Sequence, residues 1–326
     1  MALDILFLGG TGVISTASVR LAVERGHRVT VLNRGRTTSR PLPDGVETLV
    51  GDVADPASVD AAVGGRSFDV VAQFRAFTPD TVRGDLARFA GRTGQYVFVS
   101  SASAYQKPPA SIPVTESTPL KNPFWQYSRD KIACEDLLVA AYRDDDLPMT
   151  IVRPSHTYDD TLLPTTGGWT DIARMRAGRP VVVHGDGTTP WTLTHTDDFA
   201  VGFVGLLGRP EALGNAYTIT GESAPTWNQV YTWLGRAAGV EPELVHVPSE
   251  RIARELPDVG PGLVGDKAHA MLFDTTKLRR LVPEFTTTVP YAEGARRQIA
   301  WYDAHPEAQQ VDADLDAAFD RLAALA

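Results

Sequence analysis

Tyr127-Ser128-Arg129-Asp130-Lys131 sets a phenol and an ammonium four positions apart. On a helix that spacing puts both groups on one face, where a cation stabilises phenolate and a general acid/base of lowered pKa results. Upstream, an apolar run ends in Val99-Ser100-Ser101-Ala102-Ser103-Ala104-Tyr105, which offers hydroxyls to a reacting oxygen. Near the start stands Gly9-Gly10-Thr11-Gly12-Val13-Ile14-Ser15. Glycines so spaced let the backbone approach a pyrophosphate, whose charge faces the free N–H groups of a helix N-terminus. Each pattern alone has a plain reading as a solvated helix face, a turn or a Gly-rich loop. Their order, spacing and placement along the chain together argue against chance.

These residues need a sheet to carry them. Residues 4–8 read as a strand, 13–25 as a helix ended by Gly26, and 28–32 as a second strand, a βαβ unit of about 30 residues. Further strands are predicted at 47–50, 70–74, 96–100 and 150–153, with helices at 58–63, 79–90 and 127–142. Such alternation builds an α/β fold, a doubly wound parallel Rossmann sheet. After Arg153-Pro154 the rhythm changes. Residues 169–176 read as helix, 180–184 as strand, and 197–207 with 216–220 as a return to the first sheet. The expected division is a dinucleotide-binding domain of residues 1–156 and 193–221 and a smaller α/β substrate lobe of 157–192 and 222–326. Helices at 226–239 and 292–303 and a strand at 244–248 belong to that lobe.

Composition narrows the partners. The 326 residues are 43% hydrophobic and 22% charged, enough for a large core. A formal net charge of -9 repels phosphate polymers and anionic lipid, so nucleic acid and membrane are not expected partners. The lone cysteine, Cys134, forms no internal disulfide, no Cys/His cluster offers a metal site, and no stretch nears the roughly 20 apolar residues that span a bilayer. A cytoplasmic location is the expectation.

At the end of the second strand, Asn33-Arg34-Gly35-Arg36 holds no carboxylate for a ribose 2′-hydroxyl, and Arg34 is placed to receive a 2′-phosphate instead. That favours NADP, whereas a retained NAD would suit an epimerase. Asp52 is placed to accept from the adenine amino group.

The Gly motif, the serines after a strand and Tyr127/Lys131 on the next helix resemble the extended short-chain dehydrogenase/reductase family, the NAD-dependent epimerase/dehydratase type. Arg153-Pro154-Ser155-His156-Thr157-Tyr158, Thr194-His195-Thr196-Asp197-Asp198-Phe199-Ala200 and Asp274-Thr275-Thr276-Lys277-Leu278 resemble its later segments, so the likeness covers nearly the whole chain. The resemblance makes Tyr127 the acid/base, Lys131 its pKa-lowering partner and a ribose contact, and Ser101 the orienter of the substrate oxygen. It extends the cofactor surface to Val53, Phe74, Arg75, Ala76 and Pro154, makes Ser103 a second polar contact, and implies a homodimer.

Departures narrow the chemistry. The family's dehydratases carry an Asp-Glu pair where this chain has Ala102 and Ser103, which disfavours elimination. Where its sugar-nucleotide epimerases grip a diphosphate with arginine, this chain has Trp191, and an indole neither neutralises nor forks onto phosphate. His156 stands where an Asn is common. Trp169 and Trp191 are therefore expected to wall a nucleobase or bare sugar, with His156 beside the substrate and His195 structural. The function expected is an NAD(P)-dependent enzyme working on a secondary alcohol or ketone of a sugar-containing small molecule, foremost an epimerase with a transient ketone. A one-way ketone reductase is the alternative, and a non-catalytic dinucleotide sensor or RNA-binding protein the alternative of another class.

Overall fold

The computed structural model describes residues 1–36 and 39–324; the last two positions of the expected substrate lobe lie outside them. Strand β1 (Asp4–Leu8) leads through the glycine loop into α1 (Val13–Glu24), and β2 (Arg28–Asn33) and β3 (Glu47–Val50) follow. Next come α2 (Pro56–Val63), β4 (Phe68–Gln73), α3 (Pro79–Phe89), β5 (Thr93–Val99), α4 (Gln126–Asp145) and β6 (Met149–Pro154).

The second half supplies β7 (His156–Tyr158), α5 (Trp169–Arg176), β8 (Val181–His184), β9 (Leu193–His195), α6 (Thr196–Leu206) and β10 (Asn215–Ile219). It ends with α7 (Trp227–Ala237), β11 (Leu244–Val247), α8 (Ser249–Glu255), a short α9 (Gly260–Gly262) running into a π-helical turn Leu263–Lys267, α10 (Thr276–Leu281), α11 (Tyr291–Ala304) and α12 (Ala313–Ala323).

Seven strands form one parallel sheet in the order β10-β6-β5-β4-β1-β2-β3. Its strands are buried on both faces, which is why they read as continuous apolar runs. Side chains alternate across it. Ile5 and Phe7 join the core under α1 and α6, and Leu6 and Leu8 the core under α2, α3 and α4. The chain runs outward in opposite directions from β1 and β4, so a crevice opens between their carboxyl ends, where open α/β sheets bind ligands.

Two elements differ from the sequence reading. Residues 156–158, to which the sequence reading assigned no element, pair in parallel with β9 as a two-stranded ribbon. The β8–β11 pair also lies outside the main sheet and packs on α12 and α8, which the sequence reading did not place.

Candidate functional site

Gly9 and Gly10 have φ of +125° and +96°, a region L side chains rarely adopt. A Cβ on Gly10 would lie 2.5 Å from Val31 Cγ1, so only glycine lets the loop pack onto β2. A Cβ on Gly9 would press on Phe74 Cβ and Arg75 Cγ at 3.2 Å, narrowing the cradle above the loop. Ser15, at the usual third-glycine position, is buried, and its Oγ accepts from the Gly12 N–H at 2.9 Å. It therefore caps α1 without blocking helix packing.

A cleft opens over this loop. Gly9, Thr11, Gly12, Asn33, Arg34, Asp52, Val53 and Arg75 line it together, as the sequence predicts. Its shape and donors fit a dinucleotide: glycine backbone at its floor, exposed Arg34, Arg36 and Arg75 at its rim, and Asp52 as the lining carboxylate. Asp52 also closes a turn by accepting from Ala54 N–H at 3.0 Å. Other members of the expected set lie behind this surface. Gly10 packs under the loop, Val13 borders a different cavity, and Ile14 packs on the core. Phe74 stacks on Phe7 at 5.8 Å, and Ala76 and Pro154 are buried.

The catalytic pattern converges at the neighbouring strand ends. Half-buried Ser101 follows β5, and half-buried Tyr127 opens α4 against Trp125 and Phe77, with ring centroids 4.8 and 6.3 Å away. Lys131 is buried one turn further on. Its Nζ donates to Ala76 O at 2.7 Å and Val99 O at 2.8 Å, and lies 5.8 Å from the Tyr127 ring centroid.

One expectation is corrected here. The Tyr127 phenol is pushed up to about 12, not down, because burial outweighs the Ser101 hydroxyl, and the Asp266 carboxylate pushes the same way. Lys131 is brought down to about 8, chiefly by burial. Its ammonium is spent on backbone carbonyls rather than on the phenol.

The substrate side departs further. Ser103 is buried, and its Oγ bonds Ser101 Oγ at 2.9 Å and accepts from Ser128 Oγ at 2.8 Å, so it braces Ser101 rather than facing a substrate. Trp169 is not a cleft wall. It stacks on Tyr302 at 4.8 Å within the second core, because α5 turns that face toward α11. Trp191 is buried too, stacked on Trp227 at 6.0 Å, although its Nε1 lacks a hydrogen-bond partner among the described residues. His156 is half-buried, and burial with the nearby Lys267 charge holds it down to about 3, so its imidazole is neutral.

His195 caps α6, accepting from Asp197 N–H at 3.2 Å. Cys134 lies in the core under α4.

Several residues at the site escaped the sequence reading. Phe77 lines the cofactor cleft and lies 5.0 Å from Lys131 Nζ. Asn122 donates to Ser103 O at 2.9 Å, Ser128 Oγ at 3.2 Å and Gly265 O at 2.7 Å, tying the serine loop to the π-helical turn. Lys107 pairs with Asp266 at 3.3 Å. Beneath them Glu135, one turn past Lys131, holds Arg153 at 2.5 Å and accepts from Ser100 Oγ at 2.5 Å. Glu135 had a local signal, since Tyr127, Lys131 and Glu135 fall at successive helical turns. Asp266 and Lys267 had none, because only the fold brings them to this edge.

A parallel sheet with a glycine cradle at its crevice and a serine–tyrosine–lysine set at the next strand ends defines an extended short-chain dehydrogenase/reductase type of protein. Residues 5–220 match the NAD dependent epimerase/dehydratase family, and the chain belongs to it. It is an NAD(P)-dependent enzyme of that type.

Among curated relatives, it is 29% identical over 288 residues to 2′-dehydrokanamycin reductase of Streptomyces kanamyceticus, covering 87% of this chain and 80% of that one. It is 28% identical to a chloroplast stem-loop binding protein of 41 kDa from Arabidopsis thaliana, over 74% of this chain and 65% of that one. Its fold matches an epimerase of Methanothermobacter thermautotrophicus with a TM-score of 0.78 at 17% identity, over 94% of both chains.

Proposed function

We propose that this protein reduces a ketone on a sugar-containing small molecule, with NADPH as the preferred donor. The observation that carries the reading is the protonated Tyr127 phenol beside Ser101, next to a cleft rimmed by Arg34, Arg36 and Arg75. Arg34 and Arg36, at the end of β2, favour the extra 2′-phosphate, and a phosphorylated cofactor suits net reduction. The sugar reading draws on the reductase of Streptomyces kanamyceticus, named for 2′-dehydrokanamycin, and on the UDP-glucose 4-epimerase of Lactobacillus helveticus, 29% identical over 168 residues.

A nicotinamide dinucleotide, held by the Gly9–Gly12 loop and the Arg34–Arg36 rim, would supply a hydride when bound. Ser101, braced through Ser103, Ser128 and Asn122, donates to the carbonyl oxygen and fixes its position. Tyr127 would pass its proton to that oxygen and recover one from solvent afterwards. The Lys131 ammonium, held by the Ala76 and Val99 carbonyls 5.8 Å from the Tyr127 ring centroid, acts on the phenolate only through space. Ser101 and Tyr127 thus act on the same atom.

Epimerisation through a transient ketone is the second reading, favoured by Ala102 and Ser103 where elimination needs two carboxyl groups. The two separate cleanly. Purified protein incubated with keto sugars is expected to consume NADPH stoichiometrically. An epimerase would instead release tightly held nucleotide only on denaturation, detectable by mass spectrometry, and would turn over with none added. A nucleic-acid role is disfavoured by the net charge of -9.

A further inference from the structure

Asn122 is buried beside the serine loop, and its amide has a fixed orientation. Its Oδ1 accepts from the Phe124 N–H at 3.1 Å, so its NH2 group faces the other way and donates to Ser103 O at 2.9 Å and Gly265 O at 2.7 Å. The same nitrogen lies 3.2 Å from Ser128 Oγ. An amide nitrogen offers no lone pair, so the Ser128 hydroxyl can only accept from it and must spend its own proton elsewhere. That proton goes to Ser103 Oγ, 2.8 Å away.

The direction passes outward along the serines. Ser103 is buried, and once its Oγ accepts from Ser128 its proton has one partner among the described residues, Ser101 Oγ at 2.9 Å. Were Ser101 to donate to Ser103 instead, the Ser103 proton would be buried without an acceptor, which is costly. Ser101 Oγ also accepts from the Ser103 N–H at 3.1 Å. Its lone pairs are then occupied, and its own proton is left for the cleft. The Ser101 hydroxyl already opposes the burial that pushes up the Tyr127 phenol, as a donor to its oxygen would.

We infer that Asn122 is a positioning residue: through Ser128 and Ser103 it fixes the direction of a hydrogen-bond chain, so that Ser101 meets the substrate as a donor only. The inference rests on the reductase reading and deepens it. With Tyr127 protonated, the reacting oxygen meets donors and no acceptor. A carbonyl oxygen satisfies both, whereas a substrate hydroxyl would leave its own proton unpaired, so the resting site selects a ketone.

Hydrogen positions test the chain directly. Neutron diffraction from NADP-loaded crystals exchanged into D2O should show the Ser128 deuterium on the line to Ser103 Oγ, that of Ser103 on the line to Ser101 Oγ, and that of Ser101 turned away from Ser103. A Ser101 deuterium aimed at Ser103 Oγ overturns the inference.

Kinetics test its consequence, with NADPH oxidation by 9,10-phenanthrenequinone, a diketone that needs no sugar contacts, as the probe reaction. Asn122→Asp puts an acceptor where the NH2 group was and reverses the chain at constant shape. It should lower kcat roughly tenfold or more with KM and the Kd for NADPH within twofold, and add less than twofold to the loss in Ser101→Ala. If Asn122→Asp does not fold, Ser128→Ala breaks the chain and leaves the Asn122 ties intact. Its expected loss is roughly two- to fivefold in kcat, again absent in the Ser101→Ala background. Losses that multiply with that of Ser101→Ala, or no loss at all, overturn the inference alone. Wild type that oxidises no NADPH would overturn the reductase reading, and the deuterium positions would still decide the direction of the chain.

Discussion

Tyr127 keeps its proton far above neutral pH, which makes it an acid ready for the reducing direction. Tyr127→Phe should cost roughly 10²–10⁴-fold in kcat on a keto sugar found by an NADPH-oxidation screen, while the Kd for NADPH stays within twofold. Unchanged turnover would remove the assignment. At the rim of the cofactor cleft, Arg34→Ala and Arg36→Ala should weaken NADPH roughly tenfold or more and leave NADH nearly untouched, as fluorescence titration would read. Equal losses for both nucleotides would refute a 2′-phosphate contact.

Single residues were legible where chemistry imposes a local spacing, as for Tyr127, Lys131, Ser101 and the glycines. Trp169, Trp191 and Ser103 misled because residue type does not reveal which way packing turns a side chain. The phenol's upward shift was also hidden. It follows from burial under Trp125 and Phe77, while Lys131 is drawn away to Ala76 O and Val99 O.

Among elements, α4 matters most, because one helix carries the acid, the ammonium and the carboxylate that anchors it. The buried Glu135–Arg153 pair ties α4 to β6, and Arg153 donates on to Tyr105 OH at 3.1 Å. Breaking it leaves a charge buried without a partner. Arg153→Met should destabilise by about 3–5 kcal/mol in urea unfolding, well beyond the loss of an exposed pair. A change under about 1 kcal/mol would mean that Glu135 finds another partner or water.

The seven-stranded sheet was readable because each strand, buried on both faces, is an apolar run between turn residues. The β7–β9 ribbon and the π-helical turn were not, since three-residue strands and a single irregular turn carry no periodicity. Their positions come from tertiary contacts, such as Asn122 with Gly265 and Trp227 with Lys267.

Across the whole molecule, the π-helical turn joins the two halves: Asn122 ties Gly265 to the serine loop and Trp227 holds the Lys267 carbonyl. No described helix is long and apolar enough to cross a membrane. Burial of histidines at this junction links stability to pH. His184 is brought down to about 4, chiefly by burial, so the folded protein keeps it neutral while the unfolded chain protonates it below about 6.5. Its stabilising share is present above pH 6.5 and is lost as pH falls toward 4. At pH 5 the loss is about 2 kcal/mol, and His184→Gln should flatten the stability–pH slope between 7 and 5 accordingly. An unchanged slope would place His184 in water.

The central claim is that the Tyr127 and Ser101 hydroxyls meet a nicotinamide ring at one substrate atom. A crystal structure of the NADP complex tests it most directly. The account predicts the ring inside the cleft, beside both hydroxyls and within reach of Lys131, with the 2′-phosphate against Arg34 and Arg36. A ring turned out to solvent, or Tyr127 OH directed away from it, would contradict the account.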